Sequence, residues 1–377
     1  MKSKYEYITI KDWLAFFVST FLIFLSSGLL VISAAIFAFF RLAKRSPLLV
    51  FASIFGLVLL FFGIQWMVVP ISWKAEGDSV YVTIEQGDSM SRIVQRLNEA
   101  NLIEDGTGLL ILAKLLGKDR RIQAGRYDFN RGITLYSVFN KLIRGDVALN
   151  EVIIPEGLTA KQIAGILRRE IQIDSSEFVR VTLDSKFAES MGFPASNLEG
   201  YIFPDTYKLS WGTPPEKVAR ILVEQFKKTF TDSLRRRAEE INFSVAEAVT
   251  LASIIEAEAK DGEERETISA VYHNRLRRGM LLQCDPTVSY ALPQLDRPLL
   301  IKDLEIDSPY NTYKYPGLPP GPICNPGKAS ILAALYPADV GYLYFVATGD
   351  GSHIFSTTLR EHNNAKIKIR RARKNKM

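Results

Sequence analysis

Two long blocks without a charge constrain this chain before anything else does. The first runs from Trp13 to Phe40 and the second from Leu48 to Trp73. Each exceeds the roughly 20 residues that carry a helix across a bilayer. Neither has the short apolar core and small-residue cleavage site of a removable signal peptide. Both blocks, residues 13–40 and 48–73, are therefore expected to be membrane helices, with residues 1–75 an anchor. Between them Arg41-Leu-Ala-Lys-Arg-Ser-Pro47 carries three cations, which the positive-inside rule assigns to the cytoplasm. Everything after a spanning second block then lies on the outer side of the cytoplasmic membrane. Lys2, Lys4 and Lys11 also favour the inside, so one span and two spans both stay open.

The net charge of +6 is concentrated at one end, since residues 366–377 hold seven Lys or Arg. A basic tail can signal nucleic acid, but an outward location opposes that. Such a tail is read as solvated, or as touching the acidic heads of membrane lipid. No Walker loop, dinucleotide fingerprint or zinc spacing is present, and nucleic acid is not an expected partner. Two cysteines, Cys284 and Cys324, are too few for a disulfide framework; pairing and isolated thiols both stay open.

A repeat follows the apolar blocks. Val82-Thr-Ile-Glu-Gln-Gly87 and the helix-like stretch to Leu97 recur as Val152-Ile-Ile-Pro-Glu-Gly157 and the stretch to Leu167. Val82, Ile84, Gly87, Ile93 and Leu97 align with Val152, Ile154, Gly157, Ile163 and Leu167. Each copy reads as a short strand, a Gly turn, a Ser or Thr cap and an amphipathic helix. The unit resembles LysM-type modules that dock on amino-sugar polymers, and the first copy, within residues 80–148, fits best. A spacer is the plainer alternative. Beyond Asn150 the pattern is mixed helix and strand, ending in a hairpin of Tyr342–Ala347 and His353–Ser356 around a Gly-rich turn.

Within that half Val249-Thr-Leu-Ala-Ser-Ile-Ile255 is apolar on nearly every helical face, so it reads as a buried helix. Ser244-Val-Ala-Glu247 forms a capping box that starts this helix at Val245. Glu256 closes the run. A carboxylate there must find a partner or hold a proton near neutrality, and a proton-holding carboxyl is what glycosidic cleavage needs as its acid. Periodicity alone also leaves Glu258 as a candidate, and a structural ion pair is the plain alternative for Glu256. A second helix is expected from about Glu263 to Arg278. The Pro- and Gly-rich loops after it, Leu282–Val288, Ser308–Tyr313 and Gly317–Gly327, read as long ordered loops that build a site.

Leu251-Ala-Ser-Ile-Ile-Glu256, His273-Asn-Arg-Leu276, Leu282-Gln-Cys-Asp-Pro-Thr-Val288, Tyr310-Asn-Thr-Tyr313 and Gly317-Leu-Pro-Pro-Gly-Pro-Ile323 together resemble the endolytic murein transglycosylases, the YceG-like family. Glu199-Gly-Tyr-Ile-Phe-Pro-Asp-Thr-Tyr207 and the last hairpin fit as well. The resemblance runs in order from about residue 80 to 365. It implies an α+β fold class: N-terminal membrane helices, a small LysM-like strand–helix module, then a mixed α/β catalytic domain over residues 150–365. It implies Glu256 as the single catalytic acid, with Glu258 demoted. It also implies cleavage of the MurNAc–GlcNAc β-1,4 bond inside a peptidoglycan strand without water. The MurNAc 6-hydroxyl closes onto C1, so no second carboxylate, metal or cofactor is expected. Gln283, Asp285, Asn311 and Tyr313 are expected to grip substrate, with Tyr201 and Asp205 as further contacts. Two departures stand out: the family usually has one anchor helix, and Cys284 sits where Thr or Ser is more familiar. The expected enzyme ends or trims nascent strands beside the peptidoglycan synthases. The rivals are a non-catalytic peptidoglycan-binding scaffold and a muramidase that uses water with Asp285 or Glu258 as base.

Overall fold

The computed structural model describes residues 47–68, 79–85, 87–117, 122–130, 132–259, 261–292 and 297–374. In chain order the elements are helix α1 (Pro47–Val68), strand β1 (Ser79–Ile84), α2 (Met90–Glu99), α3 (Thr107–Leu115), β2 (Gly125–Asn130), α4 (Leu135–Arg144) and β3 (Leu149–Ile153). Next come α5 (Ala160–Ile171), α6 (Ser175–Thr182), α7 (Ser185–Ser190), β4 (Thr206–Ser210), α8 (Pro215–Thr229) and α9 (Asp232–Glu240). The chain ends with α10 (Val245–Glu258), α11 (Arg265–Arg277), α12 (Asp285–Ala291), α13 (Lys328–Leu335), β5 (Tyr344–Ala347), β6 (His353–Ser356) and α14 (Leu359–Lys374). The strands form three two-stranded sheets, β1–β2, β3–β4 and β5–β6.

The chain divides into two compact units. One holds Met1–Val80, Met90–Arg121 and Phe129–Ile143; the other holds Tyr81–Ser89, Ile122–Asp128 and Arg144–Met377. In the first, α2 buries Met90, Ile93, Val94 and Leu97, and α4 buries Leu135, Val138, Phe139 and Leu142. Both sets follow the i, i+3, i+4, i+7 stripe of an amphipathic helix. The turn before α3 crosses Val94 so closely that a Cβ on Gly106 would lie 2.0 Å from that side chain.

The expectation of N-terminal membrane helices is corrected here. Residues 13–40 lie outside the described residues. Of the second block, the residues up to Val68 form α1, and the rest lie outside the described residues. Among the described residues no helix is long and apolar enough to cross a membrane. The fold class the described residues show is mixed α/β.

In the second unit β3 and β4 are antiparallel, with Leu149 opposite Ser210 and Ile153 opposite Thr206. The core gathers on α10, whose residues Ala248 to Ile255 are all buried, and which lies against α13, α11 and α12. Burying each large aliphatic side chain there contributes about 1.5–3 kcal/mol. Ser244 starts the helix as expected: its Oγ accepts the Glu247 N–H while Glu247 Oε2 accepts the Ser244 N–H at 2.8 Å. At the other end Ala259 is extended. Glu256 and Glu258 thus sit in the last turn, the negative and unfavourable end of the helix dipole for a carboxylate. Both must be served by groups from other elements.

Candidate active site

The elements around Glu256 are assembled by two buried polar side chains. Ser253, one turn before it on α10, donates to the Thr250 carbonyl at 2.7 Å and accepts the Ile323 N–H at 3.0 Å. That contact seats the Pro-rich loop on the helix. Asn325 then joins three segments. Its Oδ1 accepts the Gly200 and Ile202 N–H groups, each at 2.9 Å. Its Nδ2 donates to the Leu158 carbonyl at 2.9 Å and to Glu199 Oε1 at 2.7 Å, and its own carbonyl accepts the Gly157 N–H at 2.9 Å. Gly200 must be glycine, because φ is +88° and a Cβ would lie 2.4 Å from Pro322.

This scaffold delivers partners to Glu256, whose side chain is 8% exposed. The Gly327 N–H donates to its Oε2 at 3.0 Å. Arg265 Nη2 stands 3.8 Å from its Oε1, while Arg265 Nε donates to Ser330 Oγ at 3.1 Å. The Glu156 carboxyl lies so close to Gly327 that a Cβ there would meet it at 1.9 Å. Burial, then the Glu256 charge, push the proton affinity of Glu156 up, and Arg265 opposes them. Glu156 and Arg265 carried no signal in the sequence. They come from the β3–α5 turn and from α11, about a hundred residues apart in sequence.

Glu258 faces a different hollow of about 360 Å3, lined also by Gln283, Asp285, Tyr313, Arg275 and His353. Its Oε1 accepts the Cys284 thiol at 3.2 Å and the Tyr272 hydroxyl at 3.3 Å. Burial pushes the Glu258 carboxyl up, Asp285 adds to the rise, and the two hydrogen bonds oppose it. Tyr313 donates its hydroxyl to Asp285 Oδ1 at 2.5 Å. Gln283 has φ +51°, a sparsely populated conformation for a non-glycine residue, and such strain persists where surroundings enforce it. Here the enforcement is hydrogen bonding: the Gln283 and Cys284 N–H groups donate to the Thr312 carbonyl and hydroxyl at 3.1 and 3.0 Å.

The other sequence-derived candidates are placed elsewhere. Asn311 is fully buried, donates to the Leu304 and Ile306 carbonyls at 2.9 and 2.8 Å, and accepts the Tyr313 N–H at 3.0 Å. Its polar atoms hold its own loop. Tyr201 is 2% exposed and packs on Phe193 and Phe226 at 4.3 and 5.2 Å between ring centres. Asp205 accepts the Thr206 N–H and the Gln225 amide, both at 2.7 Å, at the start of β4. Cys284 and Cys324 are both free and buried. His353 pairs with Glu264 at 2.6 Å and His273 meets the Ala334 carbonyl at 2.8 Å. Among the described residues no group of three His, Cys, Asp or Glu is placed to hold a metal ion.

The surface opens at Ala257, the residue after Glu256. Gly157, Ala257, Ile323 and Cys324 line a hollow of about 550 Å3 together with Asp285 and Tyr290. It shares Thr159, Ser289 and Tyr290 with a neighbouring hollow of about 630 Å3 and Asp285 with the one beside Glu258. Three neighbouring hollows with shared lining residues suit successive units of a polymer better than one small molecule. Buried Glu199 lines the hollow of about 630 Å3, and burial lifts its carboxyl to about 7 against hydrogen bonds from Ala160 and Asn325.

The sequence profile of the YceG-like family matches residues 82–368. An endolytic murein transglycosylase of Bacillus subtilis is 35% identical over 312 residues, covering 78% of this chain and 86% of that protein. A protein of the same name from Streptococcus pneumoniae is 28% identical over 337 residues, and the chain spans 61% of its length. The crystal structure of a yceG-like protein from Listeria monocytogenes aligns with a TM-score of 0.54 at 34% identity, covering 76% of this chain and 99% of that one.

Proposed function

The chain belongs to the YceG-like family, and from that premise we infer that it is an endolytic murein transglycosylase, a lytic enzyme that cuts inside peptidoglycan glycan strands. The observation that carries this reading is the 35% identity, over 78% of the chain, to a protein of that name. Glu256 is the proposed acid. It gives a proton to the leaving glycosidic oxygen as oxocarbenium character develops. The carboxylate so formed takes the proton of the MurNAc 6-hydroxyl, whose oxygen closes onto C1 as a 1,6-anhydro ring. The nucleophile belongs to the substrate, so the paired carboxylates of ordinary glycosidases are not required. The Gly327 N–H fixes the Glu256 carboxyl between its two proton transfers. Gln283, Asp285 and Tyr313 are proposed to contact the sugar in the hollow they line with Glu258. We place the enzyme's work on the outer side of the cytoplasmic membrane, where strands are extended, with the synthases and lipid head groups as neighbours.

A second reading, with Glu258 as the acid, is favoured by one observation: burial pushes its carboxyl up where it lines a hollow with Gln283, Asp285 and Tyr313. Mass spectrometry of purified glycan strands digested by the wild type, Glu256→Gln and Glu258→Gln separates the two. Internal 1,6-anhydro ends that vanish in E256Q and persist in E258Q support the first. The reverse pattern assigns the acid to Glu258, and no cleavage by the wild type leaves a binding scaffold.

A further inference from the structure

Arg275 on α11 is 7% exposed, yet among the described residues it makes no ion pair. Its Nε donates to the Leu343 carbonyl at 2.7 Å, and its Nη1 to the Leu282 and Leu281 carbonyls at 2.6 and 3.3 Å. Its Nη2 has no hydrogen-bond partner among the described residues. Carbonyl dipoles orient a guanidinium without neutralising it, and a buried charge without its opposite is costly. Elsewhere a shielded cation has its acid: Arg297 meets Asp303 and His353 meets Glu264, each at 2.6 Å.

Arg275 lines the hollow of about 360 Å3 together with His362 and Lys366 of α14. Those two residues stand at i and i+4, so their side chains share one face of the helix. Lys366 is exposed and also makes no ion pair among the described residues. His362 is 8% exposed, and its Nδ1 is buried without a hydrogen-bond partner. Arg275 Cζ lies 5.2 Å from the centre of the Tyr344 ring, and the His362 ring stacks on the same tyrosine at 5.3 Å. Burial, then the charges of Lys366 and Arg275, push the proton affinity of His362 down, so it adds a neutral polar ring and not a third charge. The acids of this hollow are engaged by other groups: Glu258 accepts from Cys284 and Tyr272, and Asp285 from Tyr313. Two positive charges are left unmatched by the protein itself.

Asp285 lines both this hollow and the one at Ala257, beside Glu256. Resting on the transglycosylase reading, we propose that Arg275 and Lys366 take a carboxylate of the bound strand in this hollow. The Arg275 fork offers its unused Nη2, and Lys366 offers a second charge at the rim. A peptidoglycan strand holds such a group in two forms. On a peptide-free MurNAc it is the lactyl carboxylate; on a substituted MurNAc the lactyl group is an amide, and the carboxylates belong to the stem peptide.

The test is calorimetric affinity of Glu256→Gln for peptide-free and for peptide-bearing strands, each before and after its carboxylates are converted to amides. Amidation is expected to weaken binding about tenfold, the worth of a charge-assisted hydrogen bond. A loss on peptide-free strands identifies the lactyl carboxylate; a loss confined to peptide-bearing strands identifies the stem peptide. Adding Lys366→Met should weaken binding of the untreated strand about threefold and leave the amidated strand unchanged. Arg275→Lys keeps the charge but loses the fork, with a larger effect of the same selectivity; if it fails to fold, Lys366→Met alone decides. With Glu256 intact, K366M should raise KM and spare kcat, the mark of binding lost equally in ground and transition states. Equal affinity for amidated and untreated strands of both types overturns the proposal, as does a K366M loss that ignores amidation. Undiminished cleavage by E256Q instead overturns the assignment of Glu256 beneath it, and the amidation contrast is then read from KM.

Discussion

The two copies of the strand–turn–helix repeat share their buried frame and differ in what their turns do. Val82, Ile84, Ile93 and Leu97 in the first copy and Val152, Ile154, Ile163 and Leu167 in the second are each at most 3% exposed. Gly87 and Gly157 both adopt positive φ, at +89° and +78°. Around Gly87 a Cβ would meet nothing within 4 Å, whereas at Gly157 it would face Glu256. The position that is Gln86 in the first copy is Glu156 in the second. The turn of the second copy therefore packs against Glu256 and lines the hollow next to it. A single amide-to-acid difference in the turn supplies the added charge.

The largest expected effect breaks the second turn and spares the first. Asn325→Ala removes four side-chain hydrogen bonds from a residue that is 0% exposed. Leaving those partners buried and unpaired should destabilise by about 3 kcal/mol or more, read as a lower denaturant midpoint. Gly157→Ala comes next. Positive φ costs a Cβ-bearing residue about 1–2 kcal/mol, and relief of that strain shifts the turn against Glu256. Since small misplacements at a reacting group reduce rates by up to about 100-fold, kcat should fall while the protein stays folded. Gly87→Ala is the control: about 1 kcal/mol of stability lost from the same strain, with kcat unchanged. Equal kinetic effects at the two glycines would erase the contrast between the copies.

The smallest effect concerns Glu199, which joins the second turn through Asn325. Its folded-state carboxyl is raised from the usual 4.5 to about 7. Below the lower value it is neutral in both folded and unfolded chains, and its contribution is fully present. As pH climbs through about 7 the folded state must ionise a buried acid, so stability is lost across that interval. Glu199→Gln has no such titration. The melting temperature of the wild type should therefore drop by several degrees more than that of the variant between about pH 5 and pH 8.

Much of the frame was legible in the sequence because it is local. The capping box at Ser244, the all-round apolar run to Ile255, the repeated strand–helix unit and the terminal hairpin each announce themselves within a dozen residues. What escaped was set by distance or by competing signals. Cys284-Asp-Pro-Thr287 reads as a loop, yet Pro286 sits in the first turn of α12, where its missing N–H costs nothing. The basic residues from Lys366, read as a solvated tail, continue α14 to Lys374, with Lys366, Lys368, Arg370 and Arg371 exposed; what escaped there is the helix. Aromatic and amide residues in turn-rich segments, such as Tyr201 and Asn311, suit sugar contacts and packing equally well by composition; the tertiary structure buries both. Glu156, Arg265 and Gly327 meet only after folding, so no window of sequence contains their geometry.

The central claim is that one carboxyl suffices because the sugar's own hydroxyl attacks. Digestion of glycan strands in water enriched in heavy oxygen, followed by mass spectrometry of the new ends, tests this most directly. Anhydro termini free of the heavy label are the predicted result, because no solvent atom enters the product. Heavy oxygen built into newly formed reducing ends would contradict the account and make the enzyme a hydrolase.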